Sequence, residues 1–231
     1  MRYVADTTPA EGLYTPHLES DACGTGFIAN LNGTPSHEIV TNALTMLANM
    51  EHRGACGCEP NSGDGAGIMV QIPHEFFARK LMEVGKELPE KGKYGVGMLL
   101  LPAEKQLMER CLFAFADYAD ELGFDVIHYR KVPVDNEEVG RTSRSVEPRF
   151  QQVFVKPRTD MEPAALERRL FILRKFATHN IHRTFPETRD QFYLASFSYK
   201  TIAYKGQLTT WQLPGYFQDL KSQDFKSAIA L

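Results

Sequence analysis

Between Tyr94 and Tyr204 the chain repeats one order of elements twice: strand, helix, strand, then strand, helix, strand. Tyr94 to Leu101 is a nearly unbroken apolar run of strand length. Residues 103 to 122 follow with Leu107, Cys111, Leu112, Phe115, Tyr118 and Leu122 at helical spacing and Gly123 as a stop. Phe124 to Tyr129 and Phe150 to Val155 read as strands, residues 163 to 178 as a helix carrying Leu166, Leu170, Leu173 and Phe176. Phe192 to Ser198 and Thr201 to Tyr204 read as a closing strand pair. Few arrangements accommodate that order, and it predicts an α+β subdomain of the ferredoxin-like βαβ-βαβ type on a four-stranded sheet, spanning about residues 93–190. The polar stretch from Pro133 to Pro148 is expected to be a loop.

The chain on either side has a different texture. Met1 to Ala22 carries Pro9, Gly12 and Pro16 as breakers and reads as an extended leader. Phe27 to Leu31 reads as a strand closed by Asn32-Gly33. Ser36 then caps a helix with Ile39, Val40, Ala43, Leu44, Leu47 and Met50 on one face, ending near His52 with Gly54 as its stop. Ala66, Ile68, Val70 and Ile72 alternate as a further strand ended by Pro73. The apolar finish from Phe225 to Leu231 suggests that the fold continues past Leu231 in a longer parent.

Charge and composition exclude some functions. A net charge of -3 with no Lys/Arg stripe argues against nucleic acid as a partner. No apolar run approaches the ~20 residues of a membrane span. Asp6, Glu11, Glu19 and Asp21 make the leader unlike a secretory signal or an organelle transit peptide, so a cytoplasmic location is expected. Four cysteines in 231 residues do not make a disulfide scaffold.

Cys23 carries the most specific chemistry. It stands in Asp21-Ala22-Cys23-Gly24-Thr25-Gly26, among glycines that allow close approach of backbone and substrate. Were the chain cut before it, the thiol, titrating near ~8.5, would gain an α-amine of pKa ~7.7–8.0 on the same residue as its base. With the Ala22-Cys23 bond intact, that nitrogen is an amide. The plainer reading is a buried structural thiol. His52-Arg53-Gly54 is by default a helix terminus whose cations complement the dipole. Functionally, Arg53 would hold a carboxylate or order the backbone near Cys23. Asn61 to Gly67 surrounds Asp64 with glycines, but no Gly-Lys-Ser/Thr follows, so it fails as a phosphate cradle. It reads as a tight loop in which Asp64 could orient Arg53 or a backbone amide. Cys56-Gly57-Cys58 lacks the second pair a zinc site needs, and Cys111 reads as core, so no metal site is expected. His179 and His182 read as surface residues.

Taken together, several stretches resemble one family. They are Leu13-Tyr14, Asp21 to Phe27, Glu51 to Glu59 (EHRGACGCE), Asn61 to Ile68 (NSGDGAGI) and Tyr94 to Pro102 (YGVGMLLLP). They continue as Val132 to Asn136 (VPVDN), Gln152 to Val155, Phe192-Tyr193 and Thr201 to Gly206. In this order and spacing they are similar to the N-terminal glutamine amidotransferase region of the glutamate synthase large subunit. The resemblance implies an N-terminal-nucleophile hydrolase, a four-layer αββα sandwich, with Met1 to Ala22 removed as a propeptide and residues 23–231 an incomplete amidotransferase domain. It implies Cys23 as the nucleophile on the side-chain amide of L-glutamine, supported by Gly24, Arg53 and Asp64. It also implies ammonia passed to 2-oxoglutarate in downstream synthase domains of the same chain. FMN and an iron-sulfur (3Fe-4S) cluster belong to those later domains and none is expected here; the electron donor would be a small NADPH-oxidising subunit, NADH or ferredoxin. Thr25 stands where the family usually has valine, and Tyr199-Lys200 where it usually has Ser-Arg. The family's His-Ser-Arg-Phe-Ser-Thr segment and its oxyanion-hole Asn-Gly pair would fall after Leu231, so residues 1–231 alone are expected to be nearly inactive. The alternatives are another amide hydrolase with an N-terminal cysteine, and a non-catalytic ferredoxin-like binding module with an inert Cys23.

Overall fold

Two antiparallel four-stranded sheets organise this α+β protein, in a computed structural model that describes residues 23–54 and 59–231. The first sheet has the order β1 (Ile28–Ala29), β8 (Ile229–Ala230), β2 (Ala66–Gln71), β7 (Thr201–Gly206). The second has the order β4 (Phe124–Lys131), β5 (Arg149–Pro157), β3 (Gly95–Leu101), β6 (Tyr193–Ser198). Helices α1 (His37–Asn49) and α2 (His74–Met82) flank β2 in sequence, whereas α3 (Lys105–Glu121) joins β3 to β4 and α5 (Pro163–Thr184) joins β5 to β6. Two short helices, α4 (Arg141–Ser145) and α6 (Leu213–Tyr216), lie in the connections.

Side-chain alternation sets the register of the first sheet. Ile68 faces Tyr204 and Val70 faces Ile202, all four buried, while Met69 and Ala203 between them are half-exposed. The segment from 95 to 198 is thus an excursion between two strands that pair over six residues, Ala66–Gln71 against Gly206–Thr201.

The second sheet is buried on both faces, which is why β3 reads as continuous apolar sequence rather than an alternating one. Val96 and Met98 join the core shared with β2, β7, α1 and α2, whereas Leu99 and Leu101 join the core under α3 and α5. The close fit of α5 depends on Gly95, where a methyl group would lie 2.5 Å from Leu170 Cδ2; at Gly97 one would lie 2.9 Å from Val153 Cγ1 on the neighbouring strand β5.

One polar network crosses between the sheets. Arg130 on β4 donates to both carboxylate oxygens of Asp219, each at 2.7 Å, and to Gln152 Oε1 at 2.8 Å. Tyr204 on β7 donates to Asp219 Oδ2 at 2.9 Å and accepts from Gln152 Nε2 at 2.7 Å. The network closes on itself with its groups partnered, as buried polar groups require.

Several expectations need correction. The strand expected over 27–31 is only Ile28–Ala29, and Phe27 and Leu31 are exposed. Gly33 does form the turn, at φ 71°, its N–H donating to the Asn30 carbonyl. Gly54 is not a left-handed helix cap. Helix α1 ends at Asn49, tightens into a 3₁₀ turn over Glu51–Arg53, and Gly54 leaves it extended at φ -91°. Helix α5 continues to Thr184 because Ala177 and Ile181 extend its buried stripe, and Asn180 satisfies its amide on the Phe176 carbonyl. Pro133 to Pro148 is not a plain loop, since it contains α4. Helix α2 went unanticipated, although Phe76, Phe77 and Leu81 are fully buried on it. His182 is half-buried rather than fully exposed: its Nε2 lies 3.0 Å from the Phe192 carbonyl, and its ring meets Phe192 edge-on.

Candidate active site

The apolar run from Phe225 to Leu231 supplies the strand on which β1, the first strand after residue 23, pairs. β8 inserts between β1 and β2, so Ile28 pairs with Ala230 while Val70 pairs with Ala230 from the other side. Leu231 exchanges both backbone hydrogen bonds with Met69 at 2.9 Å. Among the described residues, the strand following Cys23 therefore pairs with β8 and with no other strand.

Cys23 is exposed five residues ahead of β1. Its neighbour Gly24 lies against the turn that follows α1: a methyl group there would stand 3.1 Å from Arg53 Cβ and 3.5 Å from Met50 Sδ. Gly26 is held still more tightly, 2.8 Å from Met46 Sδ on the same measure. The structure thus brings Gly24 and Arg53 together, with the exposed Arg53 head beyond its packed stem. Met46 lies in the C-terminal half of α1 and Met50 is its C-cap residue. Their role against the glycines was not foreseen, because a helical stripe does not say which segment covers it.

Asp64 lies exposed two residues before β2, on a loop secured at several points. The Glu59 carboxylate accepts from the Thr142 N–H at 3.0 Å and from Ser62 Oγ at 2.9 Å. These bonds, the Thr142 amide first, hold its carboxyl below the usual range. Gly140 N–H donates to the Asn61 carbonyl at 2.8 Å, and Gln212 Nε2 donates to the same carbonyl at 2.9 Å. A side chain at Gly63 would collide with the Leu208 carbonyl, and one at Gly140 would meet Ser62 Oγ and, at 2.6 Å, the Glu59 carboxylate. Both glycines are needed for close backbone approach rather than for positive φ. Gly65, at φ 150°, then turns the chain into β2.

These seats come from residues far apart in sequence, and only the glycines hint at them beforehand. Cys111 is in the core, as its helical position predicts, and burial pushes its thiol up to about 11. Cys56 and Cys58 lie outside the described residues. Among the described residues no group of three or more His, Cys, Asp or Glu side chains could hold a metal, and no helix is long and apolar enough to cross a membrane.

Comparison with known proteins decides the family. The model for class-II glutamine amidotransferases matches residues 23–231, beginning at Cys23 itself. The chain belongs to the class-II glutamine amidotransferases. Similar proteins are glutamate synthases. One is the glutamate synthase [NADH] of Schizosaccharomyces pombe, 37% identical over 228 residues, 96% of this chain and 11% of the relative. Another is the glutamate synthase [NADPH] large chain of Bacillus subtilis, 39% identical over 223 residues, 96% of this chain and 14% of the relative. A third is the ferredoxin-dependent glutamate synthase 1 (chloroplastic/mitochondrial) of Arabidopsis thaliana, 38% identical over 213 residues, 92% of this chain and 13% of the relative. The amidotransferase therefore spans well under a fifth of the length of these curated relatives. Its exposed thiol, the glycine packed on Arg53 and the pinned glycine loop all lie within the matched region.

Proposed function

We propose that this amidotransferase is the glutaminase part of a glutamate synthase, with Cys23 as its nucleophile. The observation carrying the reading is that the family match starts at Cys23, an exposed cysteine twenty-two residues into the chain. The reading further holds that Met1 to Ala22 is a propeptide whose removal frees the Cys23 α-amine. The amine takes the thiol proton, and the thiolate adds to the side-chain amide carbon of L-glutamine. Collapse of the adduct breaks the C–N bond, and the amine returns its proton to the departing nitrogen, which leaves as ammonia. Water, deprotonated by the same amine, then cleaves the thioester to glutamate and restores the thiol. An amine titrating near ~7.7–8.0 suits both transfers at neutral pH.

In this reading Arg53 holds the glutamine carboxylate or the adjoining backbone, Gly24 leaves room for substrate beside the sulfur, and Asp64 keeps the site's backbone or Arg53 in place. The first sheet with α1 and α2 belongs to an αββα sandwich. The ferredoxin-like insertion, expected over about 93–190, is read as running on through β6 to Ser198, a reading supported by the strand order β4-β5-β3-β6 and by the direct pairing of β2 with β7. Downstream synthase domains would receive the ammonia and combine it with 2-oxoglutarate, drawing electrons from a small NADPH-oxidising subunit, NADH or ferredoxin. FMN and the iron-sulfur cluster would belong to those downstream domains.

The test is mass spectrometry of the purified protein combined with labelling. The expected result is an N-terminus at Cys23 and modification of that residue by a glutamine analogue bearing an electrophilic ketone in place of the amide, with free glutamine protecting. C23A should abolish the modification. A retained leader together with full labelling would overturn the role given to the α-amine. Labelling that glutamine does not slow would overturn the substrate.

A further inference from the structure

We propose that Gln212 is a positioning residue of the glutamine site, acting through the loop that carries Asp64. This inference rests on the reading of Cys23 as a glutamine-directed nucleophile. Gln212 is 2% exposed and stands just before α6. Its carboxamide joins two distant segments to the turn just before α6. Nε2 donates to the Asn61 carbonyl at 2.9 Å and to the Glu138 carbonyl at 2.8 Å, while Oε1 accepts from the Thr209 N–H at 2.9 Å. Asn61 returns a bond from Nδ2 to the Glu138 carbonyl, and Gly140 N–H donates to Asn61. On the other side Gly63 rests on the Leu208–Thr209 backbone, so the segment before Asp64 is seated at both ends.

The placement of these bonds separates positioning from mere stapling. β2 begins at Ala66 and is already secured by its pairing with β7 from Ala66 to Gln71. The sheet gains little from holding Asn61. What the carboxamide fixes is the segment from Glu59 to Gly65, which carries Asp64 into β2. One buried side chain therefore sets where Asp64 begins. A site built on a loop needs such support, since a displacement of about 1 Å can cost on the order of 10²-fold in rate.

The experiment compares the purified protein with Q212M, which removes all three bonds at similar volume, and with G140A, which forces Asn61 and Ser62 aside. Three quantities are measured: the rate of Cys23 modification by the ketone analogue, its rate with iodoacetamide, and the glutamine concentration giving half protection. The expected result is a fall of about tenfold or more in the ratio of analogue to iodoacetamide rates. The protection midpoint should rise by a similar factor, with iodoacetamide reactivity held within about twofold. Amide exchange should quicken over residues 59–65 while β2 and β7 stay protected. An unchanged ratio in folded Q212M overturns the inference and leaves the glutamine reading standing. If Q212M does not fold, the same ratio in G140A decides. Failure of the unsubstituted protein to react with the analogue removes the glutamine reading, and this inference with it.

Discussion

Breaking the Arg130–Asp219 pair should destabilise the protein far more than its single ion pair suggests. The Arg130 side chain is 11% exposed and that of Asp219 2%. D219N keeps the volume but leaves a guanidinium buried opposite a neutral amide, and removes the anionic acceptor of the Tyr204 hydroxyl. Removal of one partner from a buried pair typically costs ~3–5 kcal/mol. The double variant R130M/D219L removes both charges, which by itself is often neutral or better. Here Tyr204 Oη still loses its acceptor and Gln152 Oε1 its donor, so a cost of about 1–3 kcal/mol for each unsatisfied group is the upper expectation. With single variants at ~3–5 kcal/mol each and the two unsatisfied groups of the double together at about 2–6, the central values give a coupling of about 4 kcal/mol. Urea denaturation of the four proteins, followed by far-UV circular dichroism at neutral pH, measures it. A D219N cost below about 1 kcal/mol, or a double variant whose cost equals the sum of the singles, would show that the network is not the desolvated, mutually dependent unit described.

Other outcomes follow from packing and titration. G95A should lower stability by about 1–3 kcal/mol, because its methyl meets the fully buried Leu170, and a lower thermal midpoint with unchanged secondary structure would register it. Asp224 is held down to about 2 by its hydrogen bond from Arg79, against an ordinary value of 3.8. A lowered carboxyl stabilises above its unfolded pKa, and the gain fades as pH falls from about 4 through about 2. Both side chains are substantially exposed, so screening limits the effect to ~1 kcal/mol or less, and D224N should flatten only that part of an acid-denaturation curve. Cys111 should resist a thiol reagent at pH 8 until urea is added, since burial both shields it and raises it to about 11; peptide mapping would locate the label.

The second sheet was legible because its elements are regular and locally encoded. The stripe through Leu107, Cys111 and Phe115 and the run from Tyr94 to Leu101 announce their own periods, and each ends at Gly, Pro or a polar residue. Helix α2 was missed because nine residues with charges among the aromatics give too short a pattern for a confident period, although Phe76-Phe77 just after Pro73 was the available signal. β1 was overextended for a different reason: Phe27 to Leu31 has strand residues, but only Ile28 and Ala29 find a partner in β8. Pairing with a strand two hundred residues away is not written in the local pattern. Of the candidate site, Cys23 and Gly24 were visible as a motif and Arg53 as a companion, and the contact between Gly24 and Arg53 joins them. The roles of Glu59, Gly140 and Gln212 were not visible, because each meets a segment remote in sequence: Glu59 the Thr142 N–H, Gly140 the Asn61 carbonyl and Ser62 hydroxyl, Gln212 the Asn61 and Glu138 carbonyls.

That difference bears on how such a site tolerates change. Gly24, Gly63 and Gly140 are each required by a neighbouring atom rather than by a turn, so each couples one piece of the site to a segment remote in sequence. At Gly24 the neighbour is a side chain, Arg53, whose stem can shift; a methyl at 3.1 Å from Cβ asks for a few tenths of an ångström. At Gly63 the neighbour is the Leu208 carbonyl and at Gly140 the Asn61 carbonyl and Ser62 hydroxyl, which are fixed by further hydrogen bonds. Alanine should therefore be better accepted at 24 than at 63 or 140 as far as folding is concerned, by about 1–3 kcal/mol in unfolding free energy. Catalysis should rank them differently: under the proposed role of Cys23, a methyl at 24 sits beside the sulfur itself. Urea midpoints and analogue-labelling rates measured on the three alanine variants should thus give two different orders. A single common order would mean that the glycines serve the fold alone.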